Sequence, residues 1–294
     1  MTAPDVRLAV GQGRAHRILT TPPHVRLANR PGTPGDQVLI NPPHVRLAHQ
    51  PPTPGDNTLR TKVENELPLP SILVSFFYKK KFLEQRDQYQ MRSWVFDSGA
   101  FSAYRLGVDI DLLEYIELAQ HLLEVDDKLE EVFALDVIGD WKASQKNTDK
   151  MWEAGVPAIP CYHMGEPEKV LLGMAKRYPK IALGGVAMMR GTKKMKWATQ
   201  CFSRVYPKKI HGFGFGARSQ IMGLPWHSTD ATNWEIAPSR FGSWRSFGNA
   251  KLGIRGSLHP LQVEIDYVLR IERDARSRWG KEMKRLEEMP DVRP

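Results

Sequence analysis

The chain has 294 residues, 41% of them hydrophobic and 26% charged, enough apolar material for one large α/β domain with appendages or for two small domains. A mean hydropathy of -0.43, the absence of any apolar stretch near the ~20 residues of a membrane helix and an amino terminus without a secretory signal exclude a membrane protein and lead us to expect a cytoplasmic one. A formal net charge of +9 points to polyanionic partners, nucleic acid first; the two cysteines, Cys161 and Cys201, fit a reducing compartment and cannot build a four-thiolate zinc site.

Residues 1–65 are rich in proline and glycine and carry a V-R-L-A element three times, at Val6–Ala9, Val25–Ala28 and Val45–Ala48. The last two copies run on into Thr-Pro-Gly-Asp turns at Thr33–Asp36 and Thr53–Asp56. So little large apolar side chain cannot offset the chain entropy of ordering, which predicts a loosely ordered tail, dispensable for activity. The repeats serve either as a linker or as a docking motif used several times.

From about Ser71 the pattern becomes strands alternating with helices. Apolar, β-rich runs predict strands at Ile72–Tyr78, Trp94–Asp97, Glu131–Val137, Val156–Tyr162, Lys180–Val186, Lys209–Phe215 and Trp226–Asp230, and an eighth within Lys251–Arg255. Asp111 with Glu114 three residues on forms a capping-box signature before an apolar stripe at Leu112, Leu113, Ile116, Ala119, Leu122 and Leu123. Asp140 is placed to cap the next helix and Gly155 to end it. Seven or eight such units over residues 66–260 predict a compact (β/α)8 barrel of the TIM type, with a doubly wound sheet as the other α/β arrangement. Residues 261–294 read as a long carboxy-terminal helix packed on the outside.

Four motifs end these runs: WVFDSGAFSAY (94–104), VFALDVIGD (132–140), IALGGVA (181–187) and WHSTDAT (226–232). In a barrel of this kind the loops after the strands carry the chemistry, so Asp97, Asp136 and Asp230 would converge on one pocket with Phe101, Gly184 and Gly185. Ionised carboxylates are acceptors and suit a ligand edge rich in N–H donors, such as the N1–H and N2 amine of guanine. Glycine amides open to close approach would serve its O6. One carboxylate can attack an anomeric carbon while another handles the leaving group's proton. The same residues also permit plainer readings: each Asp capping its following helix, the glycine pair as a tight turn, or two or three Asp holding Mg²⁺. Phe101 and His211 taken singly are core or loop residues, and Tyr162-His163 in PCYHMGEP is either catalytic or a hydrogen-bonded structural pair. The basic clusters Lys79–Lys80–Lys81, Arg190–Lys193–Lys194 and Arg240–Arg245 follow the strand runs and would share their face, which favours nucleic acid.

The ordered set of motifs resembles the tRNA-guanine transglycosylase superfamily over residues 70–240. Asp97-Ser98-Gly99-Ala100-Phe101-Ser102 is similar to the D-S-G-G-[FY]-Q motif, Ala134-Leu135-Asp136 to the second Asp, Leu183–Ala187 to the G-G-L-A loop and His211–Gly214 to the M-G-V-G segment. Asp230 falls where that family has its nucleophile. The resemblance implies that Asp230 forms a glycosyl-enzyme at C1′ and that Asp97 is the general acid and base. It implies further that Asp136, Ser98 and Gly184–Gly185 recognise the base edge, with Phe101 and His211 against its faces. The family's Cys-x-Cys-x-x-Cys zinc group has no counterpart here. The shortened, zinc-free form looks like the phage-type DNA-guanine transglycosylases, the DpdA family. That implies exchange of guanine in DNA for a free 7-deazaguanine of the preQ0 type, without metal or other cofactor, in the host cytoplasm and in the service of restriction evasion. Action on tRNA, or a nucleic-acid-binding barrel without turnover, are the alternatives.

Overall fold

The computed structural model describes residues 5–9, 69–232, 243–244, 246, 250–251 and 258–289. The second and third V-R-L-A copies and the stretch 252–257 lie outside the described residues.

The strands are β1 (Asp5–Ala9), β2 (Ser71–Ser75), β3 (Ser93–Asp97), β4 (Leu129–Val132), β5 (Cys161–His163), β6 (Lys180–Gly184), β7 (Lys209–Gly212) and β8 (Ser228–Ala231). They pair in parallel in the order β4-β3-β2-β1-β8-β7-β6-β5. The segments at the two ends of that order meet at a parallel bridge, Phe133 with Ile159. Ala134 N–H donates to Ile159 O at 2.9 Å, and Ile159 N–H to Val132 O at 2.8 Å. Between the strands run α1 (Lys79–Glu84), α2 (Ala100–Leu106), α3 (Leu112–Val125), α4 (Trp141–Glu153), α5 (Glu168–Arg177), α6 (Gly191–Val205) and α7 (Arg218–Ile221); α8 (Leu258–Glu287) follows them. The fold is thus mixed α/β, built on parallel strands and helices.

Helix ends follow their sequence signals. Asp111 accepts the amides of Leu113 and Glu114 at 2.7 and 3.1 Å, and Asp140 those of Lys142 and Ala143 at 3.0 and 3.1 Å, satisfying donors that a helix start leaves open. Alternate residues of each strand face opposite ways, and the core divides accordingly. Ile72, Val74, Trp94 and Phe96 pack on one side with Phe82 and Tyr115. Ile181, Leu183, Ile210, Phe215 and Trp226 pack with Phe202 of α6. A third cluster takes Leu73, Val95, Phe133, Ile159, Cys161 and Ala182 from successive strands or their extensions. In α8, Ile265, Val268, Leu269, Ile271, Ala275, Met283 and Leu286 are buried at helical spacing. Its buried Glu272 accepts from Arg92 at 3.0 Å.

Two expectations change. Of the run expected to hold the eighth strand, Lys251 alone is described, and Ala250–Lys251 forms a short antiparallel ladder with Ser243–Trp244; 252–255 lie outside the described residues. The strand beside β8 is β1, the first V-R-L-A copy, which the composition of its surroundings had assigned to the tail. Val-Arg-Leu-Ala is too short, and set in too proline- and glycine-rich a stretch, to declare itself; its conformation comes from partners on both sides. Arg7 sits opposite Ser71 on one edge and Asp230 on the other. Deleting residues 1–10 would therefore leave β2 and β8 unpaired on their facing edges. Several backbone hydrogen bonds at about 1 kcal/mol each, at a few degrees per kcal/mol for this size, lead us to expect a melting temperature lower by roughly 10 °C or more in circular dichroism. An unchanged melt would show that β1 is no integral strand.

Candidate active site

The three strand-end aspartates come together at the carboxyl ends of the strands. Asp97 is the last residue of β3, Asp136 follows β4, and Asp230 lies in β8. The turn after Asp97 requires glycine: Gly99 has φ +75°, and a Cβ there would lie 2.1 Å from Ser75 Oγ and 2.8 Å from Phe77 Cβ. Asp97 Oδ2 accepts the Gly99 amide at 2.9 Å, so part of the helix-entry role anticipated for a strand-end Asp is real. Burial pushes the Asp97 carboxyl up to about 7; the Asp136 and Asp230 carboxylates add to the rise, against the pull of the Gly99 amide. Asp136 and Asp230 thus lie within electrostatic reach of the Asp97 carboxyl. Ser98 is buried beside Asp97, and its Oγ accepts the Ala100 amide at 3.4 Å.

Asp230 is held by a backbone amide and faced by an imidazole. Gly214, at φ +73°, turns its N–H onto Asp230 Oδ1 at 2.9 Å, and His211 Nε2 lies 3.5 Å from the same oxygen. Lys194, on α6, lies close enough for its ammonium to feel Asp230, while burial lowers its proton affinity; its Nζ donates to Gly214 O at 2.6 Å.

Asp136 meets His163, the histidine of PCYHMGEP that the sequence offers as either catalytic or structural. His163, at the end of β5, places Nε2 3.2 Å from Asp136 Oδ2 and Nδ1 3.1 Å from Glu166 Oε1. The His163 amide fixes the other Glu166 oxygen at 3.1 Å. The Cys161 sulfur, Asp136 and Glu166 all raise His163 above its ordinary range. Because burial pushes the Cys161 thiol up to about 12, the two carboxylates are what hold the imidazolium near neutrality. Burial raises the Asp136 carboxyl, and His163 opposes that. Asp136 Oδ1 is buried and has no hydrogen-bond partner among the described residues, so an acceptor is left for a ligand. The glycine pair makes room for this cluster: a Cβ on Gly184 would lie 2.6 Å from Cys161 Sγ and 3.2 Å from His163 Cδ2, and Gly185 has φ +71°. The available sequence signal was the His-x-x-Glu spacing in PCYHMGEP, between the second Asp and the glycine pair.

The other anticipated residues separate. Phe101 stands on α2, half exposed, with the Arg105 guanidinium 5.9 Å from its ring centroid. His211 is fully buried, with the rings of Phe133 and Phe213 at 4.7 and 4.6 Å. Those rings occupy the space a stacked base would need, so His211 acts beneath Asp230 and not against a base. Lys79 lies 3.3 Å over the Phe76 ring and pairs with Glu114 at 3.0 Å, which spends much of its charge within the protein. Lys80, Lys81, Arg190 and Lys193 are exposed. Arg240 and Arg245 lie outside the described residues.

Asp136, Cys161 and His163 are the described residues whose ligand atoms, all within 4.8 Å of one another, could hold a metal ion. Both His163 nitrogens already face carboxylates and the thiol keeps its proton, so an ion pair accounts for the cluster. Elemental analysis of purified protein is expected to find no stoichiometric zinc. One tightly held zinc per chain, lost with unfolding on chelation, would contradict this and place the metal at these three residues.

No helix among the described residues is long and apolar enough to cross a membrane. No protein-family model matches the chain, and no curated protein matches it.

Proposed function

We propose that this protein is a transglycosylase that exchanges guanine in DNA for a free 7-deazaguanine, by double displacement through a covalent glycosyl-aspartate. The carrying observation is the division of labour among the three carboxylates. Asp97 holds its proton near neutrality, Asp230 is aimed by Gly214 and His211, and Asp136 keeps a buried acceptor oxygen open. Two carboxyl groups in different environments are what acid and nucleophile roles require.

In the first step an Asp230 oxygen attacks C1′. The C1′–N9 bond breaks, its electron pair goes to guanine, and Asp97 delivers the proton. In the second step the Asp97 carboxylate takes the N9 proton of the incoming base, whose nitrogen attacks C1′ and releases Asp230. Two inversions retain configuration. Asp136 would accept from the base's N–H edge, with Ser98, Gly184 and Gly185 completing that wall. A base in a duplex must first leave the stack, at a cost of a few kcal/mol. The exposed Lys80, Lys81, Arg190 and Lys193 would hold the phosphates.

The reading extends to the architecture. A strand order whose end segments are joined by the Phe133–Ile159 bridge, and one apolar cluster drawn from successive strands, support a closed (β/α)8 barrel with the aspartates at its carboxyl face. The biological role that follows is phage DNA hypermodification that evades restriction.

The test is incubation with isotopically labelled 7-deazaguanine and either duplex DNA or tRNA, followed by nucleoside mass spectrometry. Label in DNA is the expected result. Label in tRNA alone moves the substrate class to tRNA, and label in neither, with nucleic acid bound, would leave a non-catalytic binding protein.

A further inference from the structure

A buried polar chain runs beneath the site from the amino ends of the strands to the carboxyl ends, and the chemistry above uses only its last member, His211. Lys180, the first residue of β6, is 5% exposed. Its Nζ donates to Glu131 of β4, whose two oxygens share one N–H at 2.7 and 2.9 Å, and to Ser228 Oγ at 2.8 Å, and it lies 2.9 Å from His227 Nδ1. Ser228 Oγ in turn lies 2.9 Å from His211 Nδ1, and His211 Nε2 lies 3.5 Å from Asp230 Oδ1. Ser228 and His211 are both fully buried.

The direction of each proton follows from donor chemistry. An ammonium against a carboxylate only donates, so Ser228 Oγ accepts from Lys180. Among the described residues, the remaining partner of that hydroxyl is His211 Nδ1, and its single proton goes there. A nitrogen that accepts carries no proton, and a neutral imidazole then bears its proton on the other nitrogen. His211 is thereby fixed as the Nε2–H tautomer, with the N–H toward Asp230.

We propose that Glu131, Lys180, Ser228 and His211 form a positioning relay for Asp230. The relay sets the His211 tautomer so that Nε2–H is turned toward Oδ1, beside the Gly214 amide that Oδ1 accepts, and Oδ2 is left to the substrate. This rests on the assignment of Asp230 as nucleophile. The opposite tautomer would turn a nitrogen lone pair toward the carboxylate, repelling the charge the reaction needs. Phe133 and Phe213 keep the imidazole from rotating out of line.

The tautomer can be read in the resting protein without any substrate, by nitrogen-15 NMR of the His211 ring in full-length protein. The relay predicts neutral imidazole with the proton on Nε2 in the wild type, and a mixture of tautomers in Ser228→Ala. A proton on Nδ1, or on both nitrogens, in the wild type would overturn the proposal whatever the protein's activity. With turnover established, Ser228→Ala is expected to lower kcat roughly 10–100-fold, as loss of an orienting partner behind a functional group does, with KM within a few fold. Ser228→Cys, which retains a proton donor, should recover part of the loss. Equal kcat in Ser228→Ala and wild type, at matched melting temperatures, would show that the relay does not act on Asp230. Absence of exchange in the wild type, with the Nε2 tautomer intact, would instead fault the reading of the function.

Discussion

Asp230→Asn is expected to abolish base exchange, bringing turnover below detection, while DNA affinity stays within a few fold of wild type. The amide cannot attack C1′, and in the proposed function affinity is assigned to the exposed basic side chains, which would meet the phosphates. The fold should tolerate the change, because the asparagine oxygen can still accept the Gly214 amide that Asp230 Oδ1 accepts at 2.9 Å. Exchange assays and fluorescence anisotropy on the same preparation separate the two effects. Retained exchange would transfer the nucleophile role to Asp97 or Asp136.

Asp97→Asn should lower exchange by about 10²–10⁴-fold, the usual range for a lost general acid, and should move stability the other way. Burial pushes the Asp97 carboxyl up to about 7 from an ordinary value near 3.8. The folded state therefore holds the proton more tightly than the unfolded chain, and stability is lost as pH rises from about 4 through about 7. A neutral amide avoids that loss and can still accept the Gly99 amide that Asp97 Oδ2 accepts. At pH 8 the variant is expected to melt higher than wild type, and near pH 4 the two should coincide. Activity in the wild type should also fall above about pH 7, as the acid form is depleted. A variant that melts lower than wild type at pH 8 would show that Asp97 is a structural carboxylate, ionised and satisfied.

What the sequence disclosed and what it hid follow one physical line. Asp97, Asp136 and Asp230 were legible because each ends an apolar run, and local pattern suffices to place a residue at a strand's carboxyl end. The caps at Asp111 and Asp140 were legible for the same reason. Asp5–Ala9 was not, since its pairing depends on Ser71 and Ser228, which lie far along the chain. His163 looked like an ordinary hydrogen-bonded histidine because the carboxylate that gives it a role, Asp136, arrives from another strand. Lys180 was legible only as the first residue of a strand; its partner Glu131 is 49 residues away, and nothing local announces a buried ion pair. His211 was placed correctly on its strand and assigned the wrong neighbours, because whether a ring meets a ligand or two phenylalanines is decided by packing across the sheet.

The most direct measurement is the intact mass of the protein after incubation with guanine-containing DNA and denaturation. Double displacement predicts a covalent species equal to protein plus DNA less guanine, absent in Asp230→Asn and discharged by added 7-deazaguanine. Base exchange that proceeds with no such species, or with the species intact in Asp230→Asn, would contradict the account.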